Sequence, residues 1–389
     1  MPEPLRCQKE AFQLPAGLHY LNCAYMSPLA HSVEAAVVDG LRTKRVPSTV
    51  SPADFFAAAP MGRERFGQLV AGVPERVAIL PSVSYGVAIA ARNLPVARGQ
   101  RIVVLGEQFP GNVYSWRRLA AESGAELVTV PRPQSASSGA AWNESLLDAI
   151  STESAIVALP TVHWTDGTRF DLETVGRRCR SVGAALVIDG TQSIGAVPFD
   201  VGEVQPDLVV SAAYKWLMGP YSVAFGWFGP RFDQGVPLEE TWIARAGSED
   251  FGGLVDYEDR YQPGAVRFDV GERSNFALLP GAVAGLDLVL GWTPEAISDY
   301  VGRLSQPLLE QAERSGFRLE DAEWRSPHLF GLRMPDGVDL ADLKSRLDAG
   351  QISVSIRGTS LRVSPNVYND DADVSALAGV LAEVGQGSR

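Results

Sequence analysis

The sequence contains little cysteine, little histidine and no long apolar run. Its three cysteines, Cys7, Cys23 and Cys179, are scattered over 389 residues, which excludes a disulfide framework and favours a reducing compartment. No apolar stretch approaches the ~20 residues that cross a bilayer, and the amino terminus lacks the apolar core of a signal peptide. The histidines and cysteines do not show the spacing of metal ligands. We therefore expect a cytoplasmic protein without a metal site.

Lysine is scarce as well, since it supplies only four of the 34 basic residues, at positions 9, 44, 215 and 344. The 46 acidic residues give a net charge of −12, which argues against nucleic acid or an anionic membrane as a partner. This balance says nothing against a small anionic ligand, because a pocket can differ in sign from the whole molecule. The length predicts two or three domains.

Short apolar runs alternate with helical patterns over most of the chain. Several runs are apolar almost throughout, as in strands that are buried on both faces of a parallel sheet. The predicted strands are Val77–Leu80, Ile102–Leu105, Leu127–Val130, Ala155–Leu159, Ala185–Ile188, Leu208–Val210 and Ala224–Phe228. The predicted helices between them are Tyr85–Asn93, Asn112–Ser123, Asn143–Ile150 and Leu172–Val182. This order predicts an α/β fold with a largely parallel sheet.

The pattern changes after Pro280, where a helical region runs to about Ser315 with a break near residues 291–293. The elements predicted beyond it are strands Leu329–Met334, Ile352–Ile356 and Leu361–Ser364 and helices Leu340–Ala349 and Asp371–Val384. We therefore expect a large α/β domain at 20–280 and a smaller C-terminal α+β domain at 281–389, which includes residues 1–19. The stretches Pro131–Ala141 and Pro230–Pro263 are predicted loops, and the second is long enough to suggest a function.

Two stretches carry candidate chemistry. The first, A-L-V-I-D-G-T-Q at 185–192, is a buried strand that ends in Asp189, and open α/β sheets bind ligands at the carboxyl ends of their strands. Asp189 is equally suited to capping the turn that follows. The second, S-A-A-Y-K-W at 211–216, places Lys215 between two aromatic side chains after another apolar strand. A desolvated lysine has a lowered pKa and attacks aldehydes, whereas a lysine that extends to solvent only covers apolar surface.

The pattern Asp-x-x-Gln followed by Ser-x-x-Tyr-Lys resembles the class V aminotransferases of fold type I, which include cysteine desulfurases, kynureninases and an isopenicillin-epimerase-like branch. The resemblance extends over nearly the whole chain and is most specific between Asp189 and Lys215. It implies that the cofactor is pyridoxal 5′-phosphate, held by Lys215 as a Schiff base. It also implies that Asp189 keeps the ring nitrogen protonated and that Gln192 donates to the phenolate oxygen.

Further site residues follow from the same resemblance. The implied cofactor contacts are Ser84 with Ser82 or the Val83 amide at a helix start, Ser211, Tyr214 and the ring-covering Phe109. The implied substrate contacts are Asn22, Trp164 and Arg362, whose guanidinium suits a carboxylate, with Arg357 as a second candidate. A loop at 267–276 resembles one that reaches the cofactor phosphate of the partner subunit, through Ser274 or Asn275, and so implies a homodimer. Taken alone, such residues are equally typical of helix caps, core aromatics and surface ion pairs.

The chain departs from the desulfurases in two respects. Phe109 and Tyr214 stand where those enzymes have histidines, which is nearer to kynureninase, and the stretch 350–362 has no cysteine for a persulfide relay. We therefore expect an enzyme that acts on an amino acid, either an aminotransferase or a C–S β-lyase. The alternatives are an amino-acid epimerase, a non-catalytic sensor that binds the cofactor, and a hydrolase using Ser193 in T-Q-S-I-G, which lacks the first glycine of a nucleophile elbow.

Overall fold

The computed structural model describes residues 4–134 and 138–387, which form twelve strands and eleven α-helices. The strands are β1 (His19–Tyr20), β2 (Val77–Leu80), β3 (Arg101–Leu105), β4 (Glu126–Val130), β5 (Ser154–Pro160), β6 (Ala185–Asp189), β7 (Leu208–Ala212), β8 (Ala224–Phe228), β9 (Phe330–Arg333), β10 (Ile352–Ser353), β11 (Ser355–Arg357) and β12 (Ser360–Val363). The helices are α1 (His31–Thr43), α2 (Asp54–Leu69), α3 (Val83–Asn93), α4 (Tyr114–Ser123), α5 (Gly139–Ala149), α6 (Leu172–Val182), α7 (Val201–Val204), α8 (Leu278–Trp292), α9 (Pro294–Arg314), α10 (Leu340–Ala349) and α11 (Asp371–Gly387). Among these helices, none combines the length and the apolar character needed to cross a membrane.

Seven strands form one mixed, mostly parallel sheet in the order β2-β8-β7-β6-β5-β3-β4. Strand β8 runs antiparallel to its neighbours β2 and β7, and the other neighbouring pairs in the sheet are parallel. Strands β2, β6, β7 and β8 are buried along their whole length, which explains why their sequences are almost continuously apolar. Because of this topology, β8 begins at the same edge of the sheet where the other six strands end.

Apolar cores cover both faces of this sheet. In β6, Leu186 and Ile188 belong to one core, whereas Ala185 and Val187 belong to the other, as the alternation of side chains along a strand requires. Each large apolar side chain buried in this way stabilises the fold by about 1.5–3 kcal/mol. The predicted α/β class and its parallel sheet are therefore confirmed.

The C-terminal elements enclose a third core. An antiparallel sheet in the order β11-β12-β9 and the parallel pair β1-β10 pack with α9, α10 and α11. The apolar side chains of α8 belong to the core of the large sheet, and along α9 the side chains change cores between Ile297 and Leu304. The domain boundary at residue 280 stays a prediction, and residues 1–3 and 388–389 of the smaller domain lie outside the described residues.

Most predicted elements are present, with ends that differ by up to four residues. The predicted break near 291–293 is confirmed, because Thr293 has a φ of 68° between α8 and α9. The predicted strand Ile352–Ile356 is divided at Val354 into β10 and β11, which join different sheets. The predicted loop Pro131–Ala141 includes residues 135–137, which lie outside the described residues, and α5 already begins at Gly139. Short 3-10 turns occupy much of the predicted loop Pro230–Pro263.

Helix α8 packs closely on the backbone that follows Lys215. A Cβ atom on Gly285 would lie 2.5 Å from the carbonyl oxygen of Leu217, so that only glycine allows this approach. In the same segment, Met218 and Ser222 adopt left-handed φ values of 55° and 68°. Such conformations persist where the surrounding structure determines them, often beside functional sites.

Candidate active site

A cavity of about 180 Å³ opens at the edge where the parallel strands of the large sheet end. Its walls come from residues that follow β2, β3, β5, β6 and β7 and from residues that precede β8. The sequence-predicted residues that line it are Ser82, Val83, Ser84, Phe109, Trp164, Asp189, Gln192, Tyr214 and Lys215. These residues lie up to 133 positions apart in the chain, and the sheet topology brings them together.

Lys215 lies in this cavity with only 6% of its surface exposed. Its Nζ atom is 5.7 Å from the ring centroid of Phe109 and 5.3 Å from that of Tyr214. Burial lowers the pKa of Lys215 to about 8; the positive charges of Arg362 and Arg357 add to this effect and the Asp189 carboxylate opposes it. The neutral amine, which is the form that attacks an aldehyde, is therefore more populated near pH 7 than in an ordinary lysine.

Asp189 is buried at the end of β6 and lines the same cavity. Its Oδ1 atom accepts a hydrogen bond from the Thr191 amide at 3.0 Å, so that it both caps its turn and faces the site. Burial raises the pKa of Asp189, against the opposing effects of Thr191 and Lys215. A cationic group placed beside this carboxylate would stabilise its charged form, which is the pairing that a protonated ring nitrogen offers.

Gln192 is held at both ends of its side-chain amide. Its Nε2 donates to the Ala24 carbonyl at 3.1 Å, and its Oε1 accepts from Trp216 Nε1 at 3.0 Å. Behind it, His328 Nε2 lies 2.6 Å from the Gln192 carbonyl oxygen, and Ser326 Oγ lies 2.7 Å from His328 Nδ1. Burial lowers the pKa of His328 to about 4, so the imidazole is neutral and its Nε2–H donates to Gln192. The orientation of Gln192 is thus fixed by buried neighbours.

Helix α3 directs its first turn towards the cavity. Ser82 caps the helix by accepting the Tyr85 amide at 3.2 Å, and Ser82 Oγ lies 3.3 Å from Ser84 Oγ. The first amides of an α-helix have no acceptor within the helix, and the helix dipole is positive at this end. The Val83 and Ser84 amides, together with the two hydroxyls, therefore form a suitable site for a phosphate.

Phe109 and Trp164 form one wall of the cavity. Their ring centroids lie 5.5 Å apart in an edge-to-face arrangement, and Phe109 is 46% exposed, which excludes a core role for it. Trp164 Nε1 donates to the Glu107 carbonyl at 2.7 Å. Arg132 ties the two loops together by donating to the carboxylates of Glu107 at 3.0 Å and Asp166 at 2.6 Å. The sequence gives no signal for Arg132, because its partners lie in other loops.

Arg362 and Asn22 do not line the cavity but lie directly behind Trp164. Arg362 is only 1% exposed; its Nη1 donates to the Trp164 carbonyl at 2.9 Å and its Nη2 to Ser355 Oγ at 3.3 Å. Ser355 Oγ in turn donates to Asn22 Oδ1 at 2.9 Å. Burial lowers the pKa of Arg362 to about 10, with the Arg357 charge adding to the effect. An exposed surface ion pair is therefore excluded for Arg362.

Three other predicted residues lie outside the cavity. Ser211 is fully buried, its Oγ has no hydrogen-bond partner among the described residues, and the neighbouring Ala212 lines the cavity instead. Ser274 and Asn275 line an adjacent groove that shares part of its wall with the cavity. Ser274 Oγ donates to the Phe55 carbonyl, and Asn275 Oδ1 accepts from the first amide of α8 at 2.9 Å.

Two further residues at the site, Thr191 and Tyr221, carry no role predicted from the sequence. Thr191 and Tyr221 line the cavity, and the Tyr221 ring lies 4.6 Å from that of Tyr214. The sequence could have indicated Thr191, because it closely follows a strand that ends in a carboxylate. The position of Tyr221 depends on the turn after Lys215, which no local pattern predicts. Ser193 is buried and its Oγ donates to the Gly190 carbonyl at 3.3 Å, which gives no support to a hydrolase nucleophile.

Known proteins with similar sequences or folds agree with this geometry. A relative from Bacillus subtilis (strain 168), the uncharacterized aminotransferase YcbU, is 25% identical over 309 residues, covering 79% of this chain and 78% of that protein. Isopenicillin N epimerase of Streptomyces clavuligerus is 24% identical over 338 residues and 82% of each chain. The apo structure of a cysteine desulfurase from Thermococcus onnurineus NA1 matches the fold with a TM-score of 0.82 at 18% identity, over 98% of this chain and 99% of that one.

The family described as aminotransferase class-V has a sequence model that matches residues 59–377, most of the chain. This match includes Asp189 and Lys215. A solved structure of the same fold, a C-DES mutant with glycine covalently linked to its PLP cofactor, has a TM-score of 0.85 at 17% identity, over 97% of this chain and 99% of that one. The chain therefore belongs to the class V aminotransferase family of enzymes, and its cofactor is pyridoxal 5′-phosphate.

Proposed function

We propose that the protein is an amino-acid aminotransferase or a C–S β-lyase in which Lys215 carries the cofactor and then moves the proton at Cα of the substrate. The observation that supports this most strongly is a desolvated lysine in one cavity with a buried carboxylate. The bound cofactor supplies an aldehyde for the lysine amine and a ring that accepts the electron pair released at Cα. The remaining steps depend on residues of this chain.

The chain offers a partner for each polar end of the cofactor. The Val83 and Ser84 amides at the start of α3 would receive the phosphate, and Asp189 would keep the ring nitrogen protonated. Gln192, fixed by Trp216 and by the Ala24 carbonyl, would orient the phenolic oxygen. We extend the proposal to Arg362 for the α-carboxylate, because a guanidinium binds a carboxylate through two parallel hydrogen bonds.

Lys215 is suited to proton transfer because its pKa, lowered to about 8, lies close to neutrality. The titratable side chains that line the cavity in the described part of the chain are Asp189, Tyr214, Lys215 and Tyr221. Phe109, which lines the same cavity with its ring centroid 5.7 Å from Lys215 Nζ, cannot supply a proton. Transamination and elimination need only Lys215 to remove and carry the proton, whereas epimerisation needs a second acid on the other face of Cα.

Two of the three cysteines are unsuited to a persulfide relay. Cys23 and Cys179 are buried, and burial raises their pKa values to about 11 and about 12. Neither is therefore the exposed thiolate that sulfur transfer requires. If the substrate carries sulfur at Cβ, we expect the protein to release it directly instead of storing it on the enzyme.

The experiment is a panel of amino acids incubated with the cofactor-loaded protein and scored for keto acid, for pyruvate with ammonia, for sulfide and for inversion at Cα. Keto acid formation identifies an aminotransferase, and pyruvate with ammonia and sulfide identifies the C–S lyase. Inversion without either product would favour the epimerase, and a protein whose visible absorbance responds to no amino acid would favour a sensor. Lys215→Ala should abolish turnover, whereas Lys9→Ala, which removes a lysine outside the cavity, should not.

We also propose that the protein is a homodimer. The groove that contains Ser274 and Asn275 adjoins the cavity, so a second copy seated there would approach the phosphate end of the cofactor. Light scattering of the purified protein should give twice the mass of one chain. A monomer would contradict the role proposed for these two residues.

A further inference from the structure

Two arginines of the β11–β12 hairpin reach the wall that Trp164 forms. Arg362 Nη1 donates to the Trp164 carbonyl, and the guanidinium carbon of Arg357 lies 5.6 Å from the centroid of the Trp164 ring. Arg357 also lines a groove of about 530 Å³ that contains Asn22 and Tyr25. Arg357 therefore stands between the cavity wall and this second groove.

In the part of the chain that the structure describes, residues 4–134 and 138–387, no carboxylate lies within 4 Å of the Arg357 or Arg362 guanidinium. Other arginines of this acidic chain do pair with carboxylates, as Arg132 does with Asp166 at 2.6 Å. Two close positive charges that lack a counter-ion repel each other, and together with burial this lowers the pKa of Arg362.

Both side chains also keep unused hydrogen-bond donors. The Nε atoms of Arg357 and Arg362 are buried and have no hydrogen-bond partner in the described part of the chain. Arg357 donates through Nη1 only to the carbonyl of Ile356, at 2.9 Å. Buried donors without acceptors destabilise a protein unless a ligand supplies the acceptor. The two arginines thus have donors and charge for two anionic groups.

The other charges of the proposed substrate complex already have partners. The start of α3 would receive the phosphate, Asp189 would pair with the ring nitrogen, and one guanidinium would be enough for one α-carboxylate. We assign the α-carboxylate to Arg362, because it is the more deeply buried of the two arginines and donates to the carbonyl of Trp164, which lines the cavity. An amino acid with a neutral side chain would therefore leave Arg357 without a partner.

We propose that the substrate carries a second anionic group on its side chain, which Arg357 binds while Arg362 binds the α-carboxylate. This inference rests on the proposed function, because it assumes that an amino acid reacts at Lys215. The shared chemistry is a carboxylate several bonds away from Cα. Acidic amino acids carry one, and so does cystine, in which a disulfide links two cysteines.

The test measures the affinity of the cofactor-loaded protein for matched amino acids from the change in its visible absorbance. The pairs are glutamate with glutamine, 2-aminoadipate with norleucine, and cystine with S-methylcysteine. The first two pairs test acidic amino acids as the source of the second carboxylate, and the third pair tests the disulfide cystine. At least one member with two carboxylates should bind about 10- to 100-fold more tightly than its partner, as expected for a buried charge-assisted hydrogen-bond pair. Arg357→Gln should remove this preference by weakening the binding of the member with two carboxylates much more than that of its partner.

Two further variants distinguish binding from general electrostatics. Arg357→Lys should restore part of the preference, because it keeps the charge but not the fork of donors. Arg346→Ala is the control, since it removes an arginine of α10 whose partners are Asp342 and Glu383. It should leave the preference intact. An equal loss of affinity for both members of a pair in Arg357→Gln would show that Arg357 shares the α-carboxylate, and would overturn the proposal.

A second measurement is independent of chemistry at the cofactor. Glutarate should raise the melting temperature of the protein more than butyrate does, and Arg357→Gln should abolish the difference. If no amino acid changes the absorbance but glutarate stabilises through Arg357, the proposed function fails and the site for two anions stands. If every amino-acid pair binds without preference, the proposed function stands and this inference fails. If neither measurement responds, both are overturned.

Discussion

The titration of Lys215 tests the electrostatics of the site directly. A lysine with a pKa of about 8 is neutral in about one molecule in eleven at pH 7, against about one in 3000 for the ordinary value of 10.5. Because the Asp189 carboxylate opposes this lowering, Asp189→Asn should lower the pKa of Lys215 further. Because the Arg357 charge reinforces it, Arg357→Gln should raise it.

The chain makes this measurement possible because it has only four lysines. The apo-protein is labelled with a trace of acetic anhydride at a series of pH values, and the acetylation of each lysine is read from its peptide by mass spectrometry. The pH at which acetylation of a lysine reaches half of its own maximum reports the pKa of that lysine, even where burial slows the reaction. Lys9 is an internal reference: against its partial burial, the hydrogen bonds and ion pairs with Asp370 and Asp373 raise its pKa. A Lys215 midpoint near 10.5, or a rise in Asp189→Asn, would refute the reasoning.

Three further changes have defined outcomes. Arg362→Ala should weaken the binding of carboxylate substrates about 10- to 100-fold while the visible absorbance of the cofactor is retained, and loss of the cofactor would show that Arg362 has another role. Gly285→Ala should lower the free energy of unfolding in urea by about 1–3 kcal/mol, whereas Gly379→Ala on α11, where a Cβ meets nothing within 4 Å, should not lower it. His328 has a folded pKa of about 4, below its unfolded value of 6.5, so the unfolded state takes up the proton first and stability falls as the pH falls from 6.5 to 4. His328→Gln should reduce this decline by about 3 kcal/mol, and an unchanged pH profile would contradict a buried neutral imidazole.

The sequence predicts the large sheet and the centre of the site for the same physical reason. Strands buried on both faces must be apolar throughout, so a charged side chain at the end of such a strand or shortly after it stands out. Asp189 is the last residue of β6 and Lys215 follows β7 by three residues, and parallel strands bring their carboxyl ends to one edge of the sheet. Their meeting in one cavity therefore follows from local pattern and topology together.

Other parts of the site depend on contacts that no local pattern contains. His328 holds Gln192 from a position 136 residues later in the chain, and Arg362 contacts Trp164 across 198 residues. Whether Arg362 lines the cavity or lies behind Trp164 is decided by how the smaller sheet packs on the larger one. Helices α1 and α2 also have no prediction from the sequence, and both pack on α8, which stabilises them through tertiary contacts.

The pairing of β1 with β10 has a consequence for synthesis on the ribosome. The segment after β1 is among the first to emerge, yet the Ala24 amide donates to Ser364 Oγ, 340 positions later in the chain. The Ala24 carbonyl is also the acceptor for Gln192 Nε2. The side-chain amide of Gln192 therefore cannot be held in its final orientation until the last strands have been translated. We expect the nascent chain to acquire its cofactor only after Ser364 has emerged from the ribosome, and stalled chains that end before β10 should not retain pyridoxal phosphate when they are isolated.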